Sequence, residues 1–233
     1  MLQLYAILVP QHFDEENFNY LKTFVSEKRQ NRIEKYYKRE DKLRSLLAEL
    51  LLRYVLQKNV KMNGQEIQFS YNEWGKPELC GQDRLYFNLS HSGNWVICGV
   101  GDSILGVDVE ESREKNLNLA ERFFAAEEYE EILSHPKEEQ LKQFYKYWTL
   151  KESYTKAEGK GLSIPLDSFL FRFYNEDIML ITDGVKADEY LFQVYEIDEL
   201  HTAAVCWTGS REELFQTKIN CISVDEIMQW KFN

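Results

Sequence analysis

Leu43, Leu46, Leu47, Leu50, Leu51, Tyr54 and Val55 recur at three- and four-residue intervals, which is the spacing of one face of an α-helix. The pattern predicts a long helix over about 41–58 whose apolar stripe must be covered by other elements. The flanking sequence supplies them. Residues 2–9 read as a strand, with helical patterns at about 14–24 and 27–38. After the turn signal Asn63-Gly64, β-type runs lie at 67–71, 85–89, 94–100 and 104–110, punctuated by Gly, Asn and Pro.

The second half reads in the same order. Helical patterns near 117–134 end at His135-Pro136, because proline disfavours helical geometry in the residue before it. A second long helix is predicted over about 137–157, stopped by Gly159 and Gly161, followed by β-type runs at 168–182, 190–197 and 202–207. The expected fold is therefore α+β. It has two similar lobes related by a pseudo-twofold, each a small antiparallel sheet on a long helix, with the active site in the cleft between them. The lobes are expected at 1–103 and 104–233, joined near 101–106. The tail after Gly209 yields only a helix near Val224 to Trp230.

Composition narrows the class. At 233 residues with 44% apolar and 14% aromatic content, the chain can bury one large core or two small ones. No stretch approaches the roughly 20 apolar residues of a membrane span, and the first residues lack a basic signal region. The four cysteines, Cys80, Cys98, Cys206 and Cys221, form no CxxC pair and read as reduced core residues of a cytoplasmic protein. A net charge of -11 argues against nucleic-acid binding, with one local exception. Eight basic and three acidic residues lie between Lys28 and Arg44, giving that segment +5. It is either a solvated helix face or a site for a polyanion.

Four constellations carry chemistry. Asp108 and Glu110 stand at i and i+2 in a β-type run, so both carboxylates leave one face of the strand. Such a pair is either a solvated strand end or a ligand set for a hard divalent cation. Glu152 and Lys156 share one face of the second long helix, as an ordinary i,i+4 pair or as a metal ligand beside a phosphate-binding lysine. Asn88-Leu89-Ser90-His91-Ser92-Gly93 places hydroxyls and an imidazole at a turn. Trp74-Gly75-Lys76-Pro77 is a turn with a fixed lysine.

In this order and spacing the motifs GKP (75–77), FNLSHSG (87–93), GVDVEE (106–111), RFFAAEEY (122–129) and YWTLKESYTKAEGKGLSIPLDSF (147–169) resemble the surfactin-type (Sfp-type) 4'-phosphopantetheinyl transferases. The resemblance runs from about residue 5 to 207. It implies transfer of 4'-phosphopantetheine from coenzyme A, as co-substrate, to a serine of apo acyl or peptidyl carrier proteins, as in nonribosomal peptide, polyketide or fatty-acid synthesis.

Carried over residue by residue, the resemblance implies that Asp108, Glu110 and Glu152 hold Mg2+ and that Lys151 and Lys156 contact the pyrophosphate. Ser90 and His91 would meet the 3'-phosphate, and Lys76 and Pro77 would flank the nucleotide. Arg29, Arg32 and Arg44 would lie near the adenosine phosphates, where relatives carry lysine at some positions. Glu152, with Glu128 as the second candidate, would take the proton of the carrier serine, and residues 159–190 would contribute to carrier docking. The resemblance further implies a monomer, since the chain supplies both lobes, with no nucleic-acid or membrane partner. Two other classes fit the same residues: a non-catalytic coenzyme A-binding regulator and a magnesium-dependent coenzyme A pyrophosphohydrolase.

Overall fold

The computed structural model describes residues 1–113, 117–175 and 177–230. Its first lobe opens with strand β1 (Leu2–Leu8) and continues through helices α1 (Glu15–Lys22), α2 (Glu27–Lys35) and α3 (Arg39–Asn59). A small hairpin, β2 (Phe69–Tyr71) and β3 (Pro77–Leu79), precedes a longer one, β4 (Tyr86–Ser92) and β5 (Trp95–Gly101). The second lobe repeats the order. Strand β6 (Leu105–Glu111) is followed by α4 (Leu117–Phe123), α5 (Ala126–Ser134) and the long α6 (Lys137–Glu158), then the small sheet β7 (Phe169–Tyr174), β8 (Asp177–Thr182) and β9 (Val185–Lys186), and the hairpin β10 (Leu191–Glu196) and β11 (His201–Trp207).

Three strands of each main sheet match in order. β1 pairs antiparallel with β5, which pairs with β4; β6 pairs antiparallel with β11, which pairs with β10. The leucine stripe of α3 is buried as the periodicity predicts, packed with Tyr5, Ile7 and Val9 of the β1 segment. Behind the two sheets, Leu2, Leu4 and Ile97 of the first lobe meet Leu105, Val107, Val109, Val205 and Trp207 of the second in one shared core. The lobes are thus held by apolar burial as well as by the chain.

Two expectations on extent change. The β-type run at 168–182 is the hairpin of β7 and β8, in which Phe169 faces Thr182 and Tyr174 faces Asp177. The signal was the polar Asn175-Glu176-Asp177 in the middle of the run; Asn175 has φ of 54°, a region in which asparagine is enriched among non-glycine residues. The expected second lobe, 104–233, also gives up its end. After α7 (Arg211–Gln216), strand β12 (Ile219–Ile222) pairs in parallel with β1, and α8 (Val224–Gln229) packs on α3, followed by Trp230 against Tyr54. The tail thus adds a strand to the sheet of the first lobe. Cys98 and Cys206 lie in the core, whereas Cys80 and Cys221, expected there, are exposed because each sits where its strand edge or turn faces solvent.

Candidate active site

Gly106 decides how the two chemical segments meet. A Cβ there would lie 1.9 Å from the Ser153 carbonyl oxygen and 2.5 Å from the Ala157 nitrogen, so only glycine lets β6 lie directly on α6. Two residues on, Asp108 faces the same helix, and its Oδ1 accepts from Lys156 Nζ at 2.6 Å and from Ser90 Oγ at 2.8 Å. Glu110 follows on the same face and accepts from Ser92 Oγ at 2.7 Å. The strand's period of two and the helix's turn of 3.6 therefore bring Asp108, Glu110, Glu152 and Lys156 together.

The charges act on one another. Burial pushes Glu110 up to about 7, helped by the neighbouring Asp108 and opposed by the Ser92 hydrogen bond. Burial, then Asp108, raises Glu152. Burial also raises Asp108, against the pull of Lys156. Burial disfavours the Lys156 ammonium, but Asp108, Glu152 and Glu110 outweigh it and hold that lysine above its usual range. Three carboxylates and one lysine leave a local excess of negative charge in a poorly hydrated place.

Among the described residues Asp108 Oδ2 is buried without a hydrogen-bond partner, an arrangement that a cation would satisfy. Its chemistry fits a hard divalent ion, which prefers oxygen ligands. Among the described residues no group of three or more His, Cys, Asp or Glu stands close enough together to hold a metal ion as placed.

A basic cluster adjoins the carboxylates. His91, the next residue along β4, is driven down to about 4 by burial and then by the positive charges of Arg44, Lys156, Arg32 and Arg29. Arg44 donates to the Gly93 carbonyl at 2.6 Å and to Asp41 at 2.5 Å. Arg29 is tied to Glu49 at 3.3 Å and to Ser45, and Arg32 donates to the Tyr36 hydroxyl. The basic segment is thus folded over one end of β4, where it repels a proton from His91 and suits a polyanion.

Comparison with known proteins decides the family. The model for the 4'-phosphopantetheinyl transferase superfamily matches residues 104–206, and that for the 4'-phosphopantetheinyl transferase N-terminal region matches residues 12–101. Over 227 residues the chain is 37% identical to 4'-phosphopantetheinyl transferase ffp of Bacillus subtilis, covering 97% of this chain and 100% of that protein. The chain belongs to the 4'-phosphopantetheinyl transferases. Another such transferase, Sfp of Bacillus subtilis strain 168, is 33% identical over the same shares of both chains. A solved structure, the holo-acyl-carrier-protein synthase of Thermotoga maritima, aligns with a TM-score of 0.38 at 22% identity, over 46% of this chain and 63% of that one. The two-lobed fold rests on the strand pairings above, not on that likeness.

Within this phosphopantetheinyl transferase, four of the expected site residues make contacts inside the protein. Lys151 and Glu128, expected at the pyrophosphate and as a second candidate base, are both fully buried and pair with each other at 2.7 Å. Lys151 also donates to the carbonyls of Leu166 and Phe169, while Glu128 accepts from Phe171 N and Ala125 N. The reason is helical: consecutive residues lie about 100° apart, so a helix that turns Glu152 toward β6 turns Lys151 into the core behind it. Lys76 sends its ammonium to the last carbonyls of α6, at 2.6 Å from Lys156 O and 3.1 Å from Ala157 O. It caps that helix, and Lys76 and Pro77 both line an adjacent cavity of 430 Å3 with Tyr86 and Glu158. Ser90 lies against Asp108 and Lys156.

Sequence reasoning missed the partners of these groups. Asn72 donates to Gly159 O at 2.8 Å and fixes the turn that carries Lys76. Asn88 and Ser92 hold β6 from the other lobe. The alternation of Asn88, Ser90 and Ser92, three polar residues on one face of a strand, was the available signal.

Proposed function

We propose that this chain transfers the 4'-phosphopantetheine group of coenzyme A to the serine hydroxyl of an apo acyl or peptidyl carrier protein, releasing adenosine 3',5'-bisphosphate. The observation that carries this reading is the meeting of Asp108, Glu110, Glu152 and Lys156 beside the basic cluster around His91. A pyrophosphate with a second phosphate at a fixed distance fits a site with those two halves.

Asp108, Glu110 and Glu152 would hold Mg2+, and the unpartnered Oδ2 of Asp108 is the atom that most requires it. Bound there, Mg2+ would neutralise the charge of the pyrophosphate. Lys156, kept charged by its carboxylate neighbours, is positioned to neutralise phosphate oxygens as the transferring bond lengthens. The carrier serine oxygen forms a bond to the phosphorus that bears pantetheine, and the bond from that phosphorus to the bridging oxygen breaks. Its electron pair leaves with the adenosine bisphosphate. Glu152 takes the serine proton; burial raises its proton affinity, and no hydrogen bond among the described residues restrains its carboxylate. Arg44, Arg32 and His91 receive the adenosine phosphates. Residues 159–190 contribute to carrier docking, apart from Glu176, which lies outside the described residues. The reaction belongs in the cytoplasm, and a single chain supplies both halves of the site.

Intact mass spectrometry of an apo peptidyl carrier protein, incubated with the protein, coenzyme A and Mg2+, tests the reading. A gain of one phosphopantetheine group that EDTA abolishes is the expected result. Coenzyme A binding without transfer to any carrier would favour a regulator, and carrier-independent cleavage of coenzyme A a pyrophosphohydrolase.

A further inference from the structure

The edge of β6 that faces away from β11 is paired by side chains. The N–H groups of Val107, Val109 and Glu111 donate to Asn88 Oδ1 at 2.9 Å, Ser90 Oγ at 3.4 Å and Ser92 Oγ at 3.1 Å, in strict alternation along β4 of the other lobe. A backbone strand would satisfy the same three donors. The side chains do something more. A serine hydroxyl has one proton and two lone pairs. At Ser92 a lone pair takes the Glu111 N–H, so the proton is directed at the Glu110 carboxylate 2.7 Å away. Ser90 repeats the arrangement with Val109 N–H behind it and Asp108 in front.

We infer that Ser92 is a positioning residue of the metal site. Anchored by the β6 backbone, it fixes which oxygen of Glu110 is engaged and leaves the other for ligation, although Ser92 itself belongs to the first lobe. Asn88 is its internal control. It makes the same backbone contact but, among the described residues, donates to no carboxylate, so it contributes to the packing of the lobes and not to the aim of a ligand. The inference rests on the reading of Asp108, Glu110 and Glu152 as a divalent-cation site.

The test is calorimetric titration of the intact protein with Mn2+ alone, without coenzyme A or carrier, on the wild type and on Asp108→Asn, Ser92→Ala, Ser92→Thr and Asn88→Ala, with each variant's folding checked by its thermal transition. Loss of an outer-sphere hydrogen bond to a ligand weakens metal binding by about ten- to a hundredfold. That weakening is expected for Ser92→Ala, with Ser92→Thr, which keeps the hydroxyl, close to wild type. Asn88→Ala should lower the thermal transition while leaving the Mn2+ affinity within about twofold. Affinity of Ser92→Ala within twofold of wild type, while Asp108→Asn loses binding, would overturn the role of Ser92 and leave the metal site standing. Wild-type protein that takes up no Mn2+ would overturn both.

Discussion

The two lobes share one topology and use it differently. Aligned through their antiparallel partners, β1 and β6 place Tyr5 and Ile7 at the positions of Asp108 and Glu110, since Leu2 pairs with the last residue of β5 and Leu105 with the last of β11. In the first lobe this helix-facing row is Tyr5, Ile7 and Val9, packed into the core of α3. In the second it is Gly106, Asp108 and Glu110, facing Glu152 and Lys156. The outer edges differ as well. β1 is completed by the backbone of β12, whereas β6 is completed by Asn88, Ser90 and Ser92. One unit carries a core row and the other the candidate site, because polar groups at the same strand positions are tolerable only where a partner satisfies them.

If Lys151 belongs to the core as Tyr5 does, its replacement should unfold rather than inactivate. Lys151→Met leaves the buried Glu128 charge uncompensated and is expected to cost about 3–5 kcal/mol in denaturant unfolding. Adding Glu128→Gln should recover most of that, with the KM for coenzyme A little changed; an intact, stable Lys151→Met protein that no longer binds coenzyme A would return this lysine to the site.

Matched positions on β6 and β1 should separate activity from stability. Asp108→Ala is expected to lower transfer by about 10²–10³-fold with a near-native thermal transition. Ile7→Ala should cost about 2–5 kcal/mol of stability with the surviving folded fraction active. Kinetics and thermal melts on the two variants check the contrast, and it breaks if both show the same loss.

The basic cluster gives a pH signature. His91 has its folded value driven below the ordinary histidine range to about 4, so the unfolded state binds its proton first. Its contribution is full above about pH 6.5 and is lost as the pH falls toward 4, by up to about 3 kcal/mol. Because the raised carboxylates Glu110, Glu152 and Asp108 gain stability over the same fall in pH, the loss is read as a difference: between pH 7 and 4.5 in urea unfolding, wild type should lose more stability than His91→Gln. A bound phosphate should also reduce it, by offsetting the arginines.

The smallest effect concerns the tail. Ser223 accepts from Glu226 N at 3.1 Å at the start of α8. Ser223→Ala should cost about 1 kcal/mol, lowering the melting temperature by about 2–4 °C without altering transfer. A change in transfer would tie the tail to the second lobe after all.

The sequence by itself determined the two long helices, the α+β alternation and the direction of the chemical residues on each element. Periods of 3.6 and 2 report which side chains share a face, and that was enough to pair Asp108 with Glu110 and Glu152 with Lys156. The matching order of the lobes was legible for the same reason. The structure alone decided what each face meets. Whether Lys151 or Glu152 looks at β6 depends on the rotation of α6 about its axis, which the contact at Gly106 sets from a strand some fifty residues away. Lys76 caps that same helix, and Ile219 to Ile222 return to β1 across almost the whole chain. Local spacing carries no information on such contacts, because they form only when separate elements compete to bury apolar surface and to satisfy the polar groups left at their edges.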